Sequence, residues 1–244
     1  MKWFFSFVLT FLFIIIGYGQ IQSGKVVYKI DPPSLEEAVD KDRFAESSRD
    51  YIMDFINTRL KALNYVELEL IFNSFESYMN TDKFMNNDTN PEINGGLGVT
   101  NTYGVYYNNI EEDIFYHQHS EFNKLYLVTS DFDSLDWEIH DETKEILGYT
   151  CIKATTTIVE PRREFPTTVW FAPELPFPFG PKEFRGLPGV ILAMNYNNYY
   201  FYAVSIDLNK NKNNIKKPTK GELVTDKRFF KIVEEYHNNI FKNR

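Results

Sequence analysis

The chain has 244 residues, 34 acidic against 26 basic, and a formal net charge of −8. That balance lacks the basic footprint on which nucleic-acid binding depends, so a nucleic-acid partner is excluded. One cysteine, Cys151, rules out an intramolecular disulfide; stability must come from a core, and 22 Phe with 16 Tyr favour a sheet to build it.

Residues 1–19 open with Lys2, continue with an apolar run from Phe7 to Ile16 and close on Gly17 and Gly19, the pattern of a cleavable secretory signal peptide. The run is shorter than the roughly 20 apolar residues that span a bilayer. Cleavage after Gly19 leaves residues 20–244 as one β-rich domain, exported to the periplasm or the extracellular space and not integral to the membrane. Lys25 to Ile30 then reads as a short strand, stopped at Asp31-Pro32-Pro33 because proline cannot donate to a ladder. Ser34 with Glu37 three residues on is a capping box. Ile52, Phe55, Ile56, Leu60 and Leu63 share one helical face, so a helix is expected over Ser34 to Leu63 with a break near Asp40 to Arg43.

From Tyr65 the period falls to two: Val66, Leu68, Leu70 and Phe72 alternate with their neighbours as in a strand with one buried face. Asn80 to Gly98, rich in Asn, Asp and Gly, reads as an exposed loop and carries an Asn87-Asp88-Thr89 glycosylation pattern. Strands are expected at Tyr103 to Asn108, Asp113 to His119, Lys124 to Ser130, Trp137 to His140, Tyr149 to Val159 and Thr167 to Phe171. Val190 to Tyr196 and Tyr199 to Leu208 flank Asn197-Asn198, a two-residue hairpin turn, because Asn tolerates positive φ. After a loop from Asn209 to Lys220, a helix over Asp226 to Phe241 carries Phe229, Ile232, Val233, Tyr236 and Ile240 on one face. The expected fold class is α+β: a twisted antiparallel β-sheet, a meander, packed with an N-terminal and a C-terminal amphipathic helix over its concave side.

His117 and His119, two apart on a strand, share one face at a spacing some metal sites use, and His140 beside Asp141 and Glu142 is the available third ligand. No spacing brings His140 near, and a surface pair is the simpler reading. Cys151, among Thr and Ile in a strand, reads as a small buried thiol and not a nucleophile. The sequence carries no Gly-rich phosphate loop, Gly-x-Ser-x-Gly elbow, His-Glu-x-x-His helix or calcium loop, so no catalytic residue and no cofactor are expected.

Gly148-Tyr149-x-Cys151-x-Lys153-Ala154, the Trp170 to Pro176 segment, Gly180-Pro181 and Gly186-Leu187-Pro188-Gly189 occur in that order. Together they resemble the GLPGLI family of exported Bacteroidetes proteins, most strongly over residues 136 to 195; Val190-Ile191 stands where the family name has Leu-Ile. The resemblance implies a fold and an exported location and supplies no catalytic residue. Gly186 to Gly189 fits either a loop that approaches a ligand or, more simply, a type II turn with Pro188 setting φ and Gly189 taking a positive one. Asp133-Ser134-Leu135 looks like the O-glycosylation sequence of exported proteins in that phylum.

Three functional readings follow, the last a hydrolase or metal-dependent enzyme that uses His117, His119 and His140. The first is a non-enzymatic carrier of an apolar ligand such as a lipid, with Phe115, Tyr126, Trp170, Tyr200 and Tyr202 lining a cavity between sheet and helices. The second is a cell-envelope accessory protein that contacts an outer-membrane protein through a sheet edge or the Leu175 to Phe179 loop.

Overall fold

The structure, a computed structural model, describes residues 21–40, 42, 44–81, 91–100, 102–130, 135–160, 163–209 and 214–242. The secretory segment, the Asn87 to Thr89 pattern and most of the Asp133 to Leu135 pattern lie outside them.

Among the described residues twelve strands form one sheet: β1 (Ser23–Asp31), β2 (Leu68–Asn73), β3 (Glu76–Asn80), β4 (Val105–Asn109), β5 (Ile114–Glu121), β6 (Lys124–Thr129), β7 (Glu138–Ile146), β8 (Tyr149–Glu160), β9 (Arg163–Ala172), β10 (Val190–Tyr196), β11 (Tyr199–Asn209) and β12 (Glu222–Thr225). Their order is β12-β6-β5-β4-β3-β2-β1-β11-β10-β9-β8-β7. The expected single meander is therefore two meanders, β2 to β6 and β7 to β11, joined by β1, in which Val26 faces Leu70 on one side and Ile206 on the other. β12 alone is parallel to its neighbour, β6.

Three of the hairpins are set by pairs of residues with positive φ. Asn197 and Asn198 stand at 51° and 66°, as the sequence predicts, and Leu147-Gly148 and Phe122-Asn123 repeat the arrangement. Helix α1 (Leu35–Ala38) starts at Ser34, whose Oγ accepts from the Glu37 amide at 3.3 Å while Glu37 Oε2 accepts from the Ser34 amide at 2.9 Å. The chain then turns extended at Val39 before α2 (Glu46–Ala62), which ends in a 3-10 turn at Leu63–Tyr65. A third helix, α3 (Pro91–Val99), lies where the sequence reads as loop, and α4 (Asp226–Lys242) closes the described chain.

The helices are not the layer that the sequence leads one to expect. Helix α2 packs on α3 and on its own 3-10 turn, sending Leu60, Leu63 and half-buried Ile56 into the core. Helix α4 sits at the sheet edge, where Phe229 and Ile232 meet Tyr126, Val128 and Val224. The inner face of the sheet is covered instead by the connection between β9 and β10, residues 173–189. Its Leu175, Phe177, Phe179, Phe184 and Leu187 are all buried, Phe179 completely. The α+β two-helix layer is thus replaced by a large sheet packed on an irregular segment.

An irregular segment can be buried only if its backbone polar groups find partners. Here five prolines, at 173, 176, 178, 181 and 188, bring no amide hydrogen at all. Of the other amides, Leu175 donates to Ala172 O of β9 at 3.1 Å, Phe179 to Phe177 O at 2.8 Å and Gly186 to Pro178 O at 3.0 Å, while the Ile191 amide of β10 donates to Phe179 O at 3.0 Å. The Gly186 to Gly189 turn differs from the type II expectation. The positive φ, 95°, belongs to Gly186, while the Gly189 amide donates to Leu187 O at 2.8 Å. Gly189 is needed for closeness, since a Cβ there would lie 2.2 Å from Ala172 O.

The sheet curls around this segment. Asn108 Nδ2 of β4 donates to Lys182 O at 3.3 Å, and the Lys182 ammonium stands 4.3 Å from the ring centre of Tyr196 in β10. In a flat sheet the five spacings between β4 and β10 would part them by roughly 24 Å. Arg185 adds a second clamp, donating to Asn108 Oδ1 at 3.0 Å and Ile114 O at 3.2 Å. Removing Phe179 therefore opens the centre of the core. Phe179→Ala is expected to cost about 3–5 kcal/mol in denaturant unfolding, whereas Phe230→Ala, on an α4 residue 39% exposed, should cost no more than about 0.5 kcal/mol. Equal losses would contradict the buried-segment account.

Candidate functional site

Strand alternation separates the aromatic residues into two sets. On the inner face, Tyr106, Phe115 and His117 line up across β4 and β5, with His119 and Tyr126 further toward the edge. His117 and His119 are 8% and 4% exposed, and their rings lie 4.2 Å apart. His117 stacks on Tyr106 at 4.1 Å, and its Nε2 is 2.8 Å from Tyr103 O. His119 is boxed by the edges of Tyr103, at 5.1 Å, and of Phe229 from α4, at 4.9 Å. Among the described residues neither of its ring nitrogens has a hydrogen-bond partner.

The pair is thus buried and not on the surface. His140 does not complete a metal site: it lies on β7, at the opposite edge of the sheet, where Nε2 meets Thr155 Oγ1 at 2.8 Å. Among the described residues no group of three or more His, Cys, Asp or Glu is placed to hold a metal ion. Burial pushes the His117 imidazole well below its ordinary value, with the charges of His119 and Lys182 adding to the effect, and holds His119 down to about 4.

Cys151 is a buried free thiol, as the sequence suggests. Burial pushes it up to about 11, and its Sγ lies 3.6 Å from Tyr149 O, so no thiolate is on offer. Gly148, with φ at 82°, is the second residue of the β7–β8 hairpin turn, and Tyr149 opens β8 half-buried. Leu187 is core, so the Gly186 to Gly189 segment serves packing. Trp137 secures it by donating from Nε1 to Arg185 O at 2.9 Å.

The outer face of β7 to β11 is different. Val169, Phe171, Phe201 and Ala203 point inward, which turns Trp170, Tyr200 and Tyr202 out, all half-buried. Trp170 faces Ala193 of β10, which in turn faces Tyr202 of β11, so the small alanine separates the large rings. Lys144 of β7 reaches over this row. Its ammonium is 4.3 Å from the Trp170 ring centre and 5.5 Å from that of Tyr200, and it donates to the Tyr200 hydroxyl at 3.1 Å. Tyr200 and Tyr202 stack with centroids 5.8 Å apart. Desolvation raises the Tyr202 hydroxyl above its ordinary value, as does its hydrogen bond to the Asp31 carboxylate. The five aromatics proposed to line one cavity are therefore divided, Phe115 and Tyr126 inside, Trp170, Tyr200 and Tyr202 outside. In the Leu175 to Phe179 loop, one of the two docking elements offered by the second reading, Leu175, Phe177 and Phe179 are core. Lys144 stands among Glu142, Thr143 and Glu145, beyond the strand expected at Trp137 to His140, and no local pattern singles it out.

Fold and faces define a sheet-dominated domain with a packed interior and an aromatic outer surface. A family model described as N-glycanase peptide, N-terminal domain matches residues 105–231, from the start of β4 into α4 and just over half of the chain; the chain belongs to that family. Solved structures of PNGF-II in two crystal forms are similar to it. The P21 form has 15% identity and a TM-score of 0.52, covering 86% of this chain and 33% of that one. The C2 form has 15% identity and a TM-score of 0.48, covering 84% and 31%. The chain thus spans about a third of the length of these proteins, and likeness at this identity concerns the fold alone. Among curated proteins none matches the chain. No helix among the described residues is long and apolar enough to cross a membrane.

His119 makes the fold acid-sensitive. Its folded value lies below its unfolded one, so the unfolded chain binds the proton more readily and stability falls as pH drops from about 6.5 toward about 4. The loss is on the order of 3 kcal/mol for this group. His119→Leu should leave neutral-pH stability equal or higher and flatten the slope of unfolding free energy over that window. An unchanged slope would show that His119 does not carry it.

Proposed function

We propose that the chain is an exported, non-enzymatic binding domain whose partner is a glycoprotein, engaged on the outer face of β7 to β11 by Trp170, Tyr200 and Tyr202. The observation that carries this reading is the contrast between the two faces. The inner one is filled by residues 173–189, which weakens the case for an apolar ligand held between sheet and helices, and the outer one presents three large aromatic rings. Tyr and Trp offer a broad apolar surface with a polar tip at low entropic cost, the composition of many recognition surfaces. The rings meet the C–H faces of sugars, and the Tyr200 hydroxyl, the Lys144 ammonium and the Asp31 carboxylate supply partners for sugar hydroxyls. A glycoprotein is chosen because N-glycanase stands in the description of the family.

The same proposal retains the secretory segment, the GLPGLI resemblance and a periplasmic or extracellular location. No reaction is assigned to this chain. The test is retention of the chain on an immobilised N-glycosylated protein before and after enzymatic removal of its glycans, with Trp170→Ala/Tyr202→Ala alongside. Retention should depend on the glycans, and the double variant should bind at least about tenfold more weakly at unchanged melting temperature. Equal retention on the deglycosylated protein, or wild-type binding by the double variant, overturns the reading.

A further inference from the structure

Resting on that reading, we infer that the glycan carries an anionic group, a carboxylate or a sulfate, which Lys144 receives at the Trp170 end of the aromatic face. The lysines flanking the face are already neutralised: Lys153 pairs with Glu142 at 2.7 Å and Lys29 with Glu67 at 3.7 Å. Among the described residues Lys144 has no carboxylate partner. Its contacts are the Tyr200 hydroxyl at 3.1 Å and the two rings.

An ammonium has three donors, and ring faces attract its charge without satisfying those donors. One donor goes to Tyr200, which leaves capacity for an acceptor arriving from solvent. Two acids near this end of the sheet are engaged elsewhere, since Glu145 accepts from the Thr150 hydroxyl at 2.7 Å and Glu174 from the Thr150 amide at 3.4 Å. The far end of the face is acidic, with Asp31 at the Tyr202 hydroxyl. The two ends impose a direction: the anionic group lies toward Lys144, and sugar hydroxyls donate toward Asp31. On a chain of net charge −8, Lys144 selects anions by contact at short range, because the surrounding field does not steer them in.

A charge-assisted hydrogen bond of this kind corresponds to about a tenfold change in affinity or more. Binding of the signal-free chain is measured by Trp fluorescence and calorimetry with 3′-sialyllactose, tri-galacturonate, lactose 3′-sulfate and lactose. At least one acidic sugar should bind about tenfold more tightly than lactose, and which one does so distinguishes carboxylate from sulfate as the source of charge. Lys144→Gln should remove that preference, and Lys153→Gln should leave it in place. The inference is overturned if no acidic sugar exceeds lactose, or if the preference survives in Lys144→Gln. Lactose bound as well as the acidic sugars sinks the inference and leaves the glycoprotein reading intact; glycan-independent retention in the preceding assay sinks the reading itself.

Discussion

The structure depends on the burial of residues 173–189 against a sheet that curls to receive them. Apolar burial supplies the drive, from Leu175, Phe177, Phe179, Phe184 and Leu187 together. What makes it permissible is the backbone, because prolines delete donors that the core would leave unpaired and short turns inside the segment take up several of the others. Asn108, Lys182 and Arg185 then tie the segment to the far half of the sheet. Once this plug is in place, the helices are free to sit at the ends and edges.

Packing on one face decides what the other face can do. Every inward residue of β9 and β11 commits its neighbours to the outside, so the side chains of Trp170, Tyr200 and Tyr202 turn outward as a consequence of Val169, Phe171, Phe201 and Ala203 being core. The bulge that shifts the register between Ile191 and Ala193 keeps Ala193 opposite Trp170. Lys144 stretches its stem over the rings, a common way for a lysine to cover apolar surface while its charge stays wet.

Much of the strand layout was legible because it rests on local rules. The bounds of β10 and the Asn197-Asn198 turn follow from alternation and positive-φ chemistry, and the Ser34–Glu37 cap from spacing alone. Helix α3 was not legible: Pro91 to Val99 contains three glycines, of which Gly95 and Gly96 lie close to α2, where a Cβ at Gly95 would strike the Arg59 side chain, while Gly98 faces open space. The short β12 pairs in parallel with a strand more than ninety residues earlier, a contact no local pattern announces. The proline-punctuated connection left two readings open, a partner-binding loop and a loop clamped onto the sheet; its burial, which decides for the second, is not something periodicity registers. At the candidate site, Trp170 was visible as a family-like residue, whereas its relation to Lys144 exists only across three strands.

The position of β1 at the centre of the sheet has a kinetic consequence. Ser23 pairs with Asn209 on one side and with Asn73 on the other, so the seam between the two halves is a strand from the extreme start of the described chain. Neither half can complete the sheet until β11 exists, and the contacts that close it span most of the sequence. Such topology folds slowly, and a chain interrupted before β11 would present β1 as a naked edge, open to pairing with another copy. Synthesis and folding of this protein are therefore separable in time, with the last long strand acting as the latch.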